Sequence, residues 1–282
     1  MATRASAVRI PAKASCACDV SLPASRCSVQ LNPPPYRPDP AIYTQSQRLA
    51  AGLDVTWNNP DITWFQPPVY ANGKWQIDIQ PAMSISIHNL SARAAAVNTT
   101  VTVSRSALGI GMPRSPVVTQ VLSLAAGEAR VISVPLLVAA LIIPGFIVID
   151  FQTGQEEGTV IAGTEYGAAI FVDISHPYDS DPANNHGESV TSLARLTIEA
   201  PPMPILLGNA TAAPLDYVLS LAPNTVSARI APAQVTIAPG ATGIAYLAYT
   251  LPATRPFSTS ITILARDQQG NLIGGFTQFV YV

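Results

Sequence analysis

Charge is what this chain has least of. Only 11% of its 282 residues are Asp, Glu, Lys or Arg, where a globular protein usually carries about a quarter. Lysine is reduced to Lys13 and Lys74. The formal net charge is −2, so no global field draws the chain to nucleic acid or to an anionic membrane, and neither is expected as a partner. Cysteine is confined to Cys16, Cys18 and Cys27 near the N-terminus. That excludes a disulfide framework for the rest of the chain. The three cysteines lack a fourth metal ligand nearby, so a disulfide among them or free thiols fit better than zinc.

The motifs of common chemistries are also missing. There is no Gly-x-Ser-x-Gly elbow, phosphate loop, dinucleotide fingerprint or His-Glu-x-x-His pair. His88, His176 and His186 are scattered, although His176 and His186 flank one turn and are the residues a hydrolase or a zinc site would have to use. Glu156 and Glu157 are adjacent, so on a strand they would face opposite sides and not act as a pair. These absences argue against an enzyme. A secretory signal needs an apolar run of about 7–15 residues, and none follows Arg4, Arg9 and Lys13. Val131 to Ile149 is uncharged and long enough to span a bilayer. Pro135, Pro144 and Gly145 break it, however, so two buried strands are expected there and no membrane span.

What the chain does have is apolar and turn-forming residues. Hydrophobic residues make up 48%, and 26 prolines and 17 glycines are spread throughout. This is the balance of a turn-rich all-β protein. Residues 1–55 read as an extended arm, because Leu31 to Pro40 is dense in proline and favours polyproline-like backbone. Ala41 to Leu53 is expected to hold one short helix, with Thr44 and Gln47 spaced as a capping box.

From residue 56 onward, strands alternate with turns. A first strand at Asp61–Trp64 is expected to stop at Pro67-Pro68. Met83–His88, Ala96–Val103, Val117–Leu124, Ala129–Leu137, Gly145–Phe151, Ala168–Ser175 and Val190–Glu199 follow, with a loop at Thr153–Gly163. Phe171 to Leu196 reads as strand, polar turn, strand, its turn running from Pro177 to Gly187. About seven short strands at even spacing indicate an immunoglobulin-like sandwich over residues 56–199. Residues 200–206, with Pro201, Pro202 and Pro204, read as a linker. Residues 207–282 read as a second, smaller sandwich, since the Ile237-Ala238-Pro239-Gly240 turn repeats Leu124-Ala125-Ala126-Gly127. The expected fold class is therefore all-β, with two immunoglobulin-like β-sandwich domains in tandem after a Pro-rich N-terminal arm.

Several of these stretches resemble one family. They are Asp61-Ile62, Ile85-Ser-Ile-His-Asn89-Leu-Ser-Ala leading into Val101-Thr-Val103, the Leu124-Ala-Ala-Gly127-Glu128 turn before Val131-Ile-Ser-Val134-Pro135, and Asp181-x-x-Asn184-Asn185. Over residues 60–198 the chain resembles the cell-adhesion-related domains found in bacteria, known as CARDB. The resemblance implies an immunoglobulin-like sandwich that is non-catalytic and sits in an extracellular or cell-surface protein.

Two sets of residues stand out as candidates. Asp179, Asp181, Asn184 and Glu188 place oxygen side chains close together, as calcium requires, and Asn185 lies among them. A plain turn stabilised by Asp and Asn side chains explains the same residues. Trp57, Trp64, Phe65, Tyr70 and Trp75 either fasten the first strands to the sandwich or form an exposed platform for a sugar or a partner. The expected function is a non-catalytic structural or interaction protein. It would assemble with itself or with a protein partner through the N-terminal arm and the sheet edges. A carbohydrate-binding module that uses the Trp57–Trp75 cluster is the alternative.

Overall fold

The computed structural model describes residues 36–135, 165–195, 202–222, 227–250 and 252–282. In chain order the elements are β1 (Pro40–Ala41), α1 (Gln45–Ala50), β2 (Ile62–Ala71), β3 (Lys74–Asn89), β4 (Ala96–Ser106), β5 (Ser115–Leu124), β6 (Ala129–Pro135), β7 (Glu165–Ser175), β8 (His186–Arg195), β9 (Met203–Gly208), β10 (Leu215–Leu221), β11 (Ser227–Ala231), β12 (Gln234–Ile237), β13 (Thr242–Thr250), β14 (Ser258–Arg266) and β15 (Leu272–Tyr281). A single 3₁₀ turn, Pro182–Asn184, precedes β8. The chain is all-β, as its alternating apolar residues require. No helix among the described residues is long and apolar enough to cross a membrane.

Among the described residues the strands form three sheets. The largest has eight strands in the order β12-β10-β14-β15-β8-β7-β4-β5. A sheet of β1, β3, β2 and β6 is stacked on its β8-β7-β4-β5 half, sharing one core of Ile62, Ile85, Ile87, Val101, Val103 and Val172. A sheet of β11, β13 and β9 is stacked on the other half, around Leu207, Tyr217, Leu247, Ile261, Ile263 and Val280.

The two halves share one plan. Met83-x-Ile85-x-Ile87-x-Asn89 in β3 corresponds to Met203-x-Ile205-x-Leu207-x-Asn209 in β9. Met83 pairs with Val134 and His88 with Ala129, just as Met203 pairs with Leu247 and Gly208 with Thr242. Both Asn residues are buried, 2% and 1% exposed. Each side-chain amide donates to two carbonyls: Asn89 to Ala94 and Ala125 at 2.8 and 2.9 Å, Asn209 to Ala213 and Ile237 at 2.7 and 2.9 Å. Each Oδ1 accepts the amide two residues on, from Ser91 and Thr211. The turns they hold contain Gly127 and Gly240, at φ 71° and 67°, a left-handed conformation that glycine adopts without strain. The sequons Asn89-Leu-Ser and Asn209-Ala-Thr are therefore paired structural corners.

The halves meet where β8 pairs with β15, in parallel, from Thr191↔Thr277 to Arg195↔Tyr281. Val190 and Ala194 face the second core while Leu193 faces the first. Likewise Phe276 and Val280 face the second core and Tyr281 the first. Both faces of these strands are covered, which is the usual condition of parallel pairing. It also explains why Ser189–Ala194 does not alternate in burial. Thr191, Ser192, Thr277 and Gln278 are buried here and are satisfied by one another and by their neighbours. Ser192 donates to Gln278, the Thr262 and Thr277 hydroxyls pair at 3.1 Å, and Thr191 accepts from the Trp64 indole at 3.2 Å.

Four expectations are corrected. Residues 36–55 are not a free arm: Pro38, Pro40, Ala41 and Ile42 are buried, β1 pairs with Asn89 and His88, and Arg37 donates to the carbonyls of Tyr178 and Asp179. Proline at the first residue of a strand loses no ladder bond, so the proline-rich stretch docks as a short strand. Pro67-Pro68 does not end β2 but sits in a register shift between Gln66 and Val69, a bulge where no N–H is needed. Met203–Leu206 is strand and not linker, because Met203, Ile205 and Leu207 alternate into the second core. A short helix, α1, does lie within Ala41–Leu53, but the capping box does not form: Thr44 makes no side-chain cap bond and pairs its hydroxyl with Ser46. The expected strand Gly145–Phe151, the Thr153–Gly163 loop and residues 1–35 lie outside the described residues.

The Asn corners make a direct prediction. Asn89→Ala or Asn209→Ala removes the side-chain donor from two turn carbonyls in each case and should cost about 1–3 kcal/mol. Urea unfolding measures it. A loss below about 0.5 kcal/mol, within ordinary surface-substitution range, would show that the corners do not hold the turns.

Candidate functional site

Four ionisable residues, Arg114, Asp173, His186 and Glu188, meet in one group through the register of the β7–β8 hairpin. Asp173 lies opposite His186 and Phe171 opposite Glu188. Residues two apart on a strand share a face, so His186 and Glu188 stand side by side on β8. Arg114, from the loop before β5, closes the group. His186 Nδ1 donates to Asp173 at 2.6 Å and Nε2 to Glu188 Oε1 at 2.9 Å. Arg114 donates to the same Glu188 oxygen at 2.9 Å, and the Trp57 indole to Oε2 at 3.0 Å. The Arg114 guanidinium lies 3.8 Å over the Phe171 ring, within cation–π range.

The protonation states follow from this geometry. Burial pulls the His186 pKa down, but hydrogen bonds and charge from Asp173 and Glu188 outweigh it and lift the pKa to about 9. Burial pushes Glu188 up, yet the His186 hydrogen bond and charge, then Trp57 and Arg114, hold it below its usual value. Asp173 is held low chiefly by its hydrogen bond from His186. Arg114 Nη1 also lies 3.3 Å from His186 Nε2. A hydrogen bond there would need an unprotonated Nε2. The doubly paired imidazolium is the better description, with Glu188 shared by both cations.

A shallow cleft with a cavity volume of about 30 Å³ opens beside this group, lined by Gly109, Gly111, Phe171, Glu188, Gly274 and Gly275. That is far below the usual range for a small-molecule pocket. The glycines are required by close packing between the halves. A Cβ on Gly111 would meet the Tyr217 hydroxyl and the Gly208 carbonyl, and one on Gly275 would meet the Trp57 ring at 2.4 Å. Both nitrogens of His186 are engaged, so it has no free nitrogen to take a proton from a substrate, as a general base must. The cluster is an ion network that ties β7, β8, the Arg114 loop and Trp57 together.

The residues expected to bind calcium are divided. Glu188 belongs to the ion network and bonds to none of the other three. Asp179, 4% exposed, accepts the Asp181 amide at 3.0 Å and the Asn185 side chain at 2.5 Å. Asp181 accepts Ala183 N, capping the 3₁₀ turn, and Gln47 Nε2. Asn184 donates to Asp39 Oδ1 at 2.9 Å, and its carbonyl accepts Ile42 N at 3.0 Å. This turn clamps the segment around β1. Asn184 Oδ1 and Asn185 Oδ1 are buried and without a hydrogen-bond partner. Among the described residues no three His, Cys, Asp or Glu stand in a group that could hold a metal ion.

The aromatic platform is corrected. Trp57, Trp64 and Phe65 are 1%, 3% and 3% exposed, because their rings fill the gap between the sheets. Phe65 meets Phe279, and Trp75 meets both Tyr70 and Tyr281 edge-on. Trp75 Nε1 donates to the Val282 carbonyl at 3.0 Å. Tyr70, 43% exposed, and the partly covered Trp75 are what remains at the surface. The rings fasten the β2–β3 hairpin to β15. His176 and His186 do not meet: His176 Nε2 lies 3.0 Å from the Val97 carbonyl, and its Nδ1 accepts the Tyr178 amide. Arg114 and Asp173 were missed in the sequence. Asp173 follows from hairpin register once the turn length is known, whereas Arg114 carries no local signal.

No family model matches the chain, and no curated protein matches it. Among solved structures, 28 chains match. One is titled "Crystal structure of CBD12 from CALX1.2", with 6% identity and a TM-score of 0.23, covering 71% of this chain and 93% of that one. A likeness that low carries no argument about ligand or activity.

The ion network sets a pH profile. A raised His186 pKa contributes stability that is full below about 6.5 and lost as pH rises through about 9. The lowered carboxylates contribute above their ordinary values of 3.8 and 4.5, and that contribution fades below them. Stability should therefore peak near pH 5–6.5 and fall toward pH 9. His186 is 39% exposed, so solvent screening reduces the effect to about 1–2 kcal/mol. His186→Ala should flatten the alkaline limb of a plot of melting midpoint against pH. An unchanged slope would show that another group sets it.

Proposed function

We propose that this chain is a non-catalytic β-sandwich protein that works by taking another protein's strand along β5. The observation that carries the reading is the character of that edge. β5 ends the eight-stranded sheet, is ten residues long and has no charged residue; its sole proline, Pro116, and the register shifts against β4 lie toward its two ends, which leaves Val118–Leu122 as a regular, uncharged edge. Val121 is 65% exposed. An unpaired strand offers a row of N–H and C=O groups to any extended segment, and proteins normally blunt such edges with charge, proline, bulges or shortness.

The other edges among the described residues carry those devices. β12 has four residues. β2 has Pro67-Pro68 at a bulge. β6 has Arg130 and Pro135, and β11 has Arg229 with Pro232 just beyond. β9 has Pro204 and is covered at Leu206 and Gly208 by Ile110. The resemblance to CARDB domains, which implies a non-catalytic module, is consistent with this reading. Recruitment by the arm rests on residues 1–35 alone, since residues 36–42 serve the chain's own fold.

A fluorescein-labelled peptide with the sequence of Ser115–Leu124 tests strand addition. Its anisotropy should rise saturably as protein is titrated, with a midpoint in the micromolar range. A flat signal up to on the order of 100 µM protein, with the protein monomeric by light scattering, would remove the reading.

A second reading, calcium binding at the Asp179–Asn185 turn, is favoured by the two unpartnered amide oxygens. They would join carboxylate and carbonyl oxygens, the ligands calcium takes. Without a cage of acids the affinity would fall in the roughly millimolar class of extracellular sites. Calcium at about 10 mM should raise the melting midpoint, and Asp179→Asn should abolish the rise. Equal midpoints with and without calcium would remove this reading.

A further inference from the structure

We infer that the strand taken up by β5 is β5 of a second copy, paired antiparallel about a two-fold axis at Gln120. The inference rests on the strand-addition reading and names its partner. It comes from the order of residues along the edge. In that register Val118 lies opposite Leu122 of the other copy, Thr119 opposite Val121, Val117 opposite Ser123, and Gln120 opposite Gln120.

Each match is favourable. Val118, Gln120 and Leu122 sit across from Val103, Val101 and Thr99 of β4, all three of them buried, so this is the face toward the first core. The Val118–Leu122 pairs would carry that core across the junction. Thr119 and Val121 lie on the other face and form two β-branched cross-strand pairs, the kind that stabilises sheets. The two Gln120 amides can hydrogen bond to each other. Slipping the register by two residues toward the C-terminal end sets Gln120 against Leu122 and loses this match. Slipping it by one turns the apolar face outward.

Charge points the same way. β5 carries none, so no like charges face each other when it meets itself, and the net charge of −2 gives little repulsion between whole copies. A charged partner strand would find no complement on this edge. The two-fold axis uses one surface twice and closes the assembly at a dimer. The paired copies would bury both free ends of β5 within one continuous sheet.

Light scattering on a sizing column, with full-length protein, tests this. The expected mass is twice the 29.6 kDa of one chain. Thr119→Lys with Val121→Lys places lysine opposite lysine twice and should weaken the dimer about tenfold or more. Thr119→Lys with Val121→Glu places lysine opposite glutamate twice and should restore it. Melting midpoints of both variants confirm folding.

A monomer at all concentrations overturns the inference. If the labelled peptide still binds that monomer, strand addition stands with a different partner; if it does not, both fall. A dimer indifferent to both variants also overturns it, because the interface then lies elsewhere. A dimer broken by the lysine pair but not restored by the lysine–glutamate pair overturns the register.

Discussion

The parallel pairing of β8 with β15 is the interaction on which the rest depends. Each strand gives one face to its own half and the other face to the opposite half. Burial on both sides leaves no room for a solvated residue. The hydroxyl and amide side chains of Thr191, Ser192, Thr277 and Gln278 must therefore bond among themselves and with neighbours. Unsatisfied, each buried group would cost about 1–3 kcal/mol; satisfied, they fix which strand meets which. Trp57 extends the seam: its amide donates to Thr277 and its carbonyl accepts from Val190.

A repeated plan frames both the seam and the asymmetry around it. The buried corners Asn89 and Asn209 build the same turn in each half, and the pairing of β3 with β6 repeats in β9 with β13. The first half adds β1 and β2 beside β3, where among the described residues the second half has only the Ile110 contact on β9. That contact brings the Gly109–Arg114 loop against both halves and delivers Arg114 to Glu188. The ion network is thus a product of docking, and its full use of both His186 nitrogens makes it a fastener and not a proton-transfer site.

Most strands were legible because period-two alternation and Gly- or Asn-bearing turns are local. The expected strands Met83–His88, Ala96–Val103 and Val117–Leu124 fall within β3, β4 and β5. The β7–β8 hairpin was legible for the same reason. What was not legible was long-range. Nothing in Ser189–Ala194 announces a partner more than eighty residues away at Thr277–Tyr281. The proline run near Pro38 and Pro40 looks like an arm until Asn89 and Asn184 are seen to hold it. Trp57 and Trp64 left both a staple and a platform open, since ring size says nothing about exposure. The oxygen-rich turn was legible as a turn, but the departure of Glu188 to another cluster follows only from strand direction.

Native-state hydrogen exchange at rising denaturant tests the shared seam most directly. If β8 and β15 bind the halves into one cooperative unit, their amides should exchange slowest and merge into one unfolding isotherm, together with those of β7 and β14. Two separate isotherms, with β15 and β14 opening while β8 and β7 stay protected, would contradict the account and make the halves independent domains.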